Sequence, residues 1–261
     1  MEFVDQATRF FLPYLTHCSV RRMMPWALMG FMVTGSLVKE LVPLAATYLS
    51  DKRNALNIYF VKFAWAWTFC LLLPFISITN YHVIQNILPV LLRLVTLLVG
   101  TIIWYTCTSV FLLIQAFTGS CYKSSSLDVV TQEHSNKLQC LQAGGIWQNF
   151  DISGHSFLLS YCVLMILEEM AVMPSVKTFQ GTRLHTVVNS LFLALTCLAF
   201  IWLFMLFTTA VYFHNFWDKI FGTSVGLSAW YGTYRFWYLS PLSPGLPPKR
   251  TLYFSKSNRR L

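Results

Sequence analysis

The sequence predicts an all-α membrane protein: a bundle of six transmembrane helices forming one domain over residues 1–240, then a basic cytosolic tail over 241–261. Three observations predict it. Of the 261 residues, 56% are hydrophobic and 11% are charged, whereas a soluble domain carries about a quarter charged residues. The apolar residues gather into runs close to the ~20 residues a helix needs to cross the hydrocarbon core. In lipid, segments of that length satisfy their backbone polar groups only as helices.

The runs follow in chain order. The first is expected at 23–41, "MMPWALMGFMVTGSLV" and its flank. The residues ahead of it mix acids with apolar groups and offer no small-residue cleavage site, so this span is expected to stay as a signal anchor. The second covers 57–79, with Lys62 early enough to snorkel to the interface. The third covers 91–115, the fourth 153–173 and the fifth 187–213. The sixth, 216–239, is the weakest, because it carries Asp218, Lys219, Arg235 and three glycines. Pro74 marks a kink and Pro89 a helix start. The aromatic runs "WAW" and "WYGTYRFWY" read as interfacial belts rather than a ligand box.

Lysine and arginine set the expected orientation. Arg9, Arg21, Arg22, Arg93, Lys177, Arg183, Lys249, Arg250, Lys256, Arg259 and Arg260 fall on one side. They outnumber Lys39, Lys52, Arg53, Lys123, Lys137 and Lys219 on the other, which puts both tails in the cytosol. The net charge of +9 points to an anionic membrane face. Nucleic acid is not expected as a partner, because no CxxC pair, Walker loop or basic–aromatic interleaving accompanies the charge. The tail "SPLSPGLPPKRTLYFSKSNRRL" reads as an extended Pro-rich segment held near anionic lipid. Loop 116–152 falls on the opposite face. If that face is the lumen of the endoplasmic reticulum (ER), Cys121 and Cys140 can pair as a disulfide. The other five cysteines read as ordinary apolar residues.

This topology brings His155, at the start of the fourth span, to the same membrane face as His214, at the end of the fifth. Asp218 follows His214 by four residues, so in a helix its carboxylate would share a face with the imidazole and orient it. One histidine would then attack a phosphorus and the other protonate the leaving oxygen. The plainer alternative stays open: Ser153 or Asp151 caps the fourth helix, and the histidines are interfacial residues without chemistry. A metal held by the two histidines and Asp218 lacks a tight ligand spacing. Ser156 lacks the GxSxG elbow of serine hydrolases. Neither metal nor cofactor is therefore expected. Glu168 and Glu169 lie ~20 Å from His155 along the helix, too far to join it. They read as headgroup or partner contacts. Asn80 reads as a packing or lipid-headgroup contact, and His82, His134 and His185 as solvated loop residues.

Several blocks carry a resemblance: "VRRMMPWALMGFMVTGSLVKEL", "YLSDKRNALNIYFVKFAWAWTFCLLLPFISITNYH", "FDISGHSFLLS", "EEM", "AVYFHNFWDKIFGT" and "FWYLSPLSPGLPP". Together they span nearly the whole chain, which resembles the fat storage-inducing transmembrane (FIT) family. The resemblance implies six spans in the ER membrane, both termini in the cytosol and a distant relation to lipid phosphate phosphatases. It implies cleavage of the diphosphate of fatty acyl-CoA on the lumenal side, giving acyl 4′-phosphopantetheine and adenosine 3′,5′-bisphosphate. It also implies binding of diacylglycerol and triacylglycerol in support of lipid droplets. Carried over, it makes His214 the nucleophile, Asp218 its orienting group, His155 the general acid and Ser153 a phosphate contact. The wider phosphatase pattern also carries an Lys-x6-Arg-Pro stretch and an arginine six residues before the second histidine. This chain has no Arg-Pro, and Thr208 stands at the latter position. Lys52, Arg53 and Lys219 are the expected substitutes for that basic clamp.

Overall fold

The computed structural model describes residues 2–42, 45, 47–122 and 137–248. Its helices are α1 (Glu2–Leu15), α2 (Cys18–Leu41), α3 (Ala64–Ile84), α4 (Ile87–Phe117), α5 (Lys137–Gln142), α6 (Gly154–Met170), α7 (Arg183–Tyr212) and α8 (Phe216–Trp230). A short antiparallel pair, β1 (Ser120–Tyr122) and β2 (Ile146–Gln148), joins Ser120 to Gln148 and Cys121 to Trp147. Four helical segments are long and apolar enough to cross a membrane: Leu56–Ile84, Ile87–Phe117, Gly154–Ser175 and Arg183–Tyr212. They match the second to fifth expected spans. The first and sixth are helical too, as α2 and as α8 with its π-helical and 3-10 continuation to Leu239, but neither is among the four. The chain is a mostly helical, multi-pass membrane protein. Ahead of the first expected span, α1 is a helix that hydropathy did not predict. Asp5 of α1 pairs with His185 at 3.0 Å and accepts from Asn189 at 2.9 Å, which docks α1 on α7.

Local signals start and stop these helices where the sequence places them. Ser153 caps α6 by accepting from the Ser156 N–H at 3.3 Å. Thr182 caps α7 through the His185 N–H, and Asn86 caps α4 through the Leu88 N–H. Between α3 and α4, Gln85 takes the left-handed conformation (φ 56°) that ends a helix and reverses the chain. Trp65 of the "WAW" run lies buried in this hairpin. It donates to Thr101 at 3.1 Å and covers Gly100, so it is a packing residue, whereas Trp67 is exposed.

Helix α6 is the axis of the bundle. Every residue from Ser156 to Met170 is buried, with α2, α3, α4, α7 and α8 around it. Helix α8 approaches most closely, through a seam of small residues. A Cβ on Gly222 would sit 2.4 Å from the Ser153 carbonyl oxygen. One on Gly226 would sit 2.4 Å from Ser160 Oγ and 2.6 Å from the Phe157 oxygen. The Ser160 hydroxyl is satisfied by its own helix, donating to Ser156 O and Phe157 O.

At the far end of α6 the expectation of headgroup contacts for Glu168 and Glu169 is overturned. Both are buried. Arg93 Nη2 of α4 donates to both Glu169 oxygens at 2.6 Å, and the Tyr234 hydroxyl donates to Oε1 at 2.6 Å. Glu168 takes Arg21 of α2 at 2.8 Å and also Arg235. A carboxylate removed from both water and headgroups is stable only when paired and hydrogen-bonded. Arg93 also donates to the carbonyl of Gly245. The tail is therefore not extended where it begins. Ser243, Pro244 and Pro247 are buried, with a turn at Gly245 (φ 79°). Its basic part, 249–261, lies outside the described residues, as do Lys123 and His134. His82 belongs to α3 rather than to a loop, with its Nε2 2.7 Å from the Lys177 carbonyl.

Two outcomes test this packing. Arg93→Met leaves Glu169 buried and unpaired and is expected to destabilise the detergent-solubilised protein by about 3–5 kcal/mol. The double change Arg93→Met/Glu169→Met should recover much of that loss in thermal unfolding. Gly226→Ala should lower the melting temperature, because overpacking costs about 1–3 kcal/mol. Gly232→Ala, where a Cβ meets nothing within 4 Å, should not.

Candidate active site

Two helix ends and one loop converge beyond the N-terminus of α6. The Ser153 N–H donates to the Asp218 carbonyl at 3.0 Å, which ties the start of α6 to the first turn of α8. Helix α7 ends at Tyr212, beside this junction, and delivers His214 to it. The imidazoles of His155 and His214 lie within electrostatic range of one another, as expected from the topology. His155 is half-buried, and the His214 side chain is 19% exposed.

His214 is not part of a helix. It adopts φ 47°, a left-handed conformation that few non-glycine residues take, between α7 and α8. The i, i+4 relation expected to join it to Asp218 therefore does not hold. The Asp218 carboxylate instead accepts from the Asn215 N–H at 3.4 Å, and Asn215 in turn caps α8. The carboxylate found at the His214 ring belongs to Asp151, with Oδ2 3.6 Å from Nδ1. Sequence reasoning treated Asp151 only as a possible helix cap. Its place next to the SGH triplet was the available signal.

Lysines surround the pair. Lys39, at the end of α2, donates to the His214 carbonyl. Lys219 is buried and donates to the Ala210 carbonyl at 2.7 Å. Both ammonium groups thus face the C-terminal turn of α7, where the helix dipole favours positive charge. Lys219 is committed to the backbone rather than open to an anion. Lys52 is exposed and within electrostatic range of both histidines, and Lys62 of His155. Arg53 shares the exposed turn of Lys52, where its N–H donates to Asp51 at 2.8 Å. Lys39 and Lys62 were read from sequence only as topology and snorkelling charges, with nothing in their spacing to mark them.

The other candidates fall as follows. Ser153 Oγ is buried, accepting from the Ser156 N–H and from the Ser156 hydroxyl at 3.0 Å, so it serves as a helix cap inside the junction. Asn80 does not join the site. It lies near the C-terminal end of α3, at the Glu169 end of the bundle, with its Oδ1 buried and unpartnered. Cys121 and Cys140 form a disulfide with Cα atoms 5.7 Å apart. Among the described residues no three His, Cys, Asp or Glu side chains converge as a metal site.

Electrostatics favour a neutral His214. Burial pushes its pKa below the ordinary value. Asp151 and Asp218 oppose that shift, and Lys52 and Lys39 reinforce it. With Asp151 at Nδ1, the ring leaves Nε2 free as a nucleophile.

The family model described as fat storage-inducing transmembrane protein matches residues 45–192 and 174–234. Acyl-coenzyme A diphosphatase FITM2 of Homo sapiens is 57% identical over 249 residues, 95% of each chain. The protein of that name from Danio rerio is 44% identical over 93% of this chain and 90% of its own. Fat storage-inducing transmembrane protein 1 of Mus musculus is 34% identical over 82% of this chain and 73% of its own. No solved structure matches. A family match across both histidines, with relatives aligned over nearly the full length, shows that the chain belongs to the fat storage-inducing transmembrane protein family.

Proposed function

We propose that this chain is a fatty acyl-CoA diphosphatase of the ER membrane. The observation that carries the reading is the convergence of two histidines, a carboxylate and exposed lysines at one end of the bundle. The naming of its relatives as acyl-coenzyme A diphosphatases supports it. His214 Nε2 attacks one phosphorus of the diphosphate, forming an N–P bond as the bridging P–O bond breaks. His155 gives its proton to the departing phosphate oxygen. Water then cleaves the N–P bond, with His155 taking the proton back. Lys52 and Lys62 draw the phosphates in, and Arg53 stands on the same turn. Ser153 acts by fixing the start of α6, and Asp218 by fixing that of α8.

The membrane arrangement follows the same reading. The α2 and α8 segments complete six spans, both termini lie in the cytosol and the histidines face the lumen. The disulfide supports an oxidising compartment on that side. A distant relation to lipid phosphate phosphatases accounts for the paired histidines, with the missing arginines replaced by lysines from other elements. The acyl chain of the substrate stays in lipid while its diphosphate reaches the interface.

Purified protein in detergent is expected to release adenosine 3′,5′-bisphosphate from oleoyl-CoA. His155→Ala and His214→Ala should each lower that release by at least ~10²-fold while keeping the fold. Unchanged release from either would sink the assignment of roles. Saturable diacylglycerol binding with no hydrolysis would point instead to a lipid-binding protein. Attack requires neutral His214, whose pKa burial lowers, so activity should fall with acid only below about pH 6.5. An acid limb well above that value would contradict a neutral, buried nucleophile.

A further inference from the structure

We infer that Asp151, carried by a disulfide-tied hairpin, is the positioning carboxylate of His214, and that Asp218 is not. The inference rests on the diphosphatase reading for its kinetic consequences and on geometry for its assignment. Three features of that geometry agree.

The first is how the carboxylate is held. Gln115, in the last turns of α4, donates from Nε2 to Asp151 Oδ1 at 3.1 Å. That contact fixes one oxygen and leaves the other, Oδ2, at the His214 ring. The separation of 3.6 Å is an ion-pair distance, of the kind that tightens when substrate closes a site. The second is that Asp218 is engaged elsewhere. Its carboxylate accepts from the Asn215 N–H, and its carbonyl from the Ser153 N–H. Both contacts are architectural, joining α6 to α8.

The third is the module that delivers Asp151. Directly after α4, β1 pairs with β2, and the Cys121–Cys140 disulfide ties β1 to α5. Gly145 packs on both sulfurs, where a Cβ would lie 2.8 and 3.0 Å from them. Gly119 lies under the Trp147 ring, where a Cβ would be 2.1 Å from it. Past β2, the Phe150 N–H donates to Thr118 Oγ1 at 3.0 Å, and the Phe150 ring meets Phe221 of α8 edge-on at 5.4 Å. Asp151 is the next residue. Its position is therefore set from both sides, by the end of α4 and by the hairpin that the disulfide closes.

The groups acting on His214 come from five directions: Asp151 ahead of α6, His155 on α6, Asp218 on α8, Lys39 on α2 and Lys52 on the turn before α3. Removing the nearest anion destabilises the imidazolium, so the ring should titrate at lower pH. It also removes the group that selects the Nδ1–H tautomer, so turnover should fall more than binding.

The test compares Asp151→Asn, Asp151→Glu, Gln115→Leu, Asp218→Asn and Cys121→Ser/Cys140→Ser in the full chain in detergent. Two readouts are needed: kcat and KM for oleoyl-CoA, and the pH midpoint of His214 carbethoxylation without substrate, read by mass spectrometry. Asp151→Asn is expected to lower kcat on the order of 10²-fold with KM nearly unchanged, and to move the midpoint down. Asp151→Glu should recover part of kcat. Gln115→Leu, which frees the carboxylate without removing it, and the double cysteine change should lower kcat with KM held. Asp218→Asn, which keeps a capping oxygen, should stay within several-fold of the parent. The reverse pattern, with Asp218→Asn losing turnover and shifting the midpoint while Asp151→Asn matches the parent, overturns the assignment. So does a Gln115→Leu protein with parental kcat. If the parent protein releases no adenosine 3′,5′-bisphosphate, the diphosphatase reading fails instead. The carbethoxylation midpoints then still decide which carboxylate serves His214.

Discussion

The burial of α6 on every side is the constraint on which the rest of this structure depends. A helix ringed by other helices meets neither lipid nor water, so a charged group on it is stable only with a protein partner. At one end those partners are arginines. Glu168 and Glu169 gather Arg21, Arg93, Arg235 and Tyr234, and through Arg93 also the chain past α8. At the other end they are backbone and hydroxyl groups, with Ser153 capping α6 and its N–H spent on Asp218 O. Replacing one member of either set leaves a buried group bare, which is why two glutamates persist in so apolar a helix.

The same axis explains how two histidines far apart in the chain come to one end of the bundle. Helix α8 can lie against α6 only because Gly222 and Gly226 present no side chain to it. That contact fixes where α8 begins, and so where the short link after α7 must run. His214 occupies that link in a left-handed conformation, held by Lys39 at its carbonyl. Lys219 holds the preceding helical turn through Ala210. Of the three residues expected to form a phosphate clamp, Lys219 instead holds the backbone, as Lys39 does, while Lys52 and Arg53 remain exposed.

Much of this was legible beforehand, for identifiable reasons. Long apolar runs report helices directly, so the second to fifth spans match α3, α4, α6 and α7 closely. Serine ahead of an apolar run reports a cap, and Ser153 is one. Counting spans placed His155 and His214 at one end without any knowledge of contacts. The misreadings share a cause. Glu168 and Glu169 read as headgroup or partner contacts, and Lys219 as part of a phosphate clamp, because local sequence gives depth along a helix but not which side it faces. Asp218 was assigned to His214 from helical spacing, and the helix starts too late for that spacing to apply.

What the sequence by itself determined is therefore the set of long apolar helices, their order along the chain and the placing of two histidines at one end of the bundle. Hydropathy and length govern these, and both are properties of a single segment. Only the tertiary structure decided that α6 is the axis, that Asp151 rather than Asp218 stands at the His214 ring, and that the glutamates are paired inside. Those outcomes depend on which faces of different helices meet. That is set by small residues and buried charges whose partners lie on other segments, as with Arg93 and Gly245, 152 residues apart.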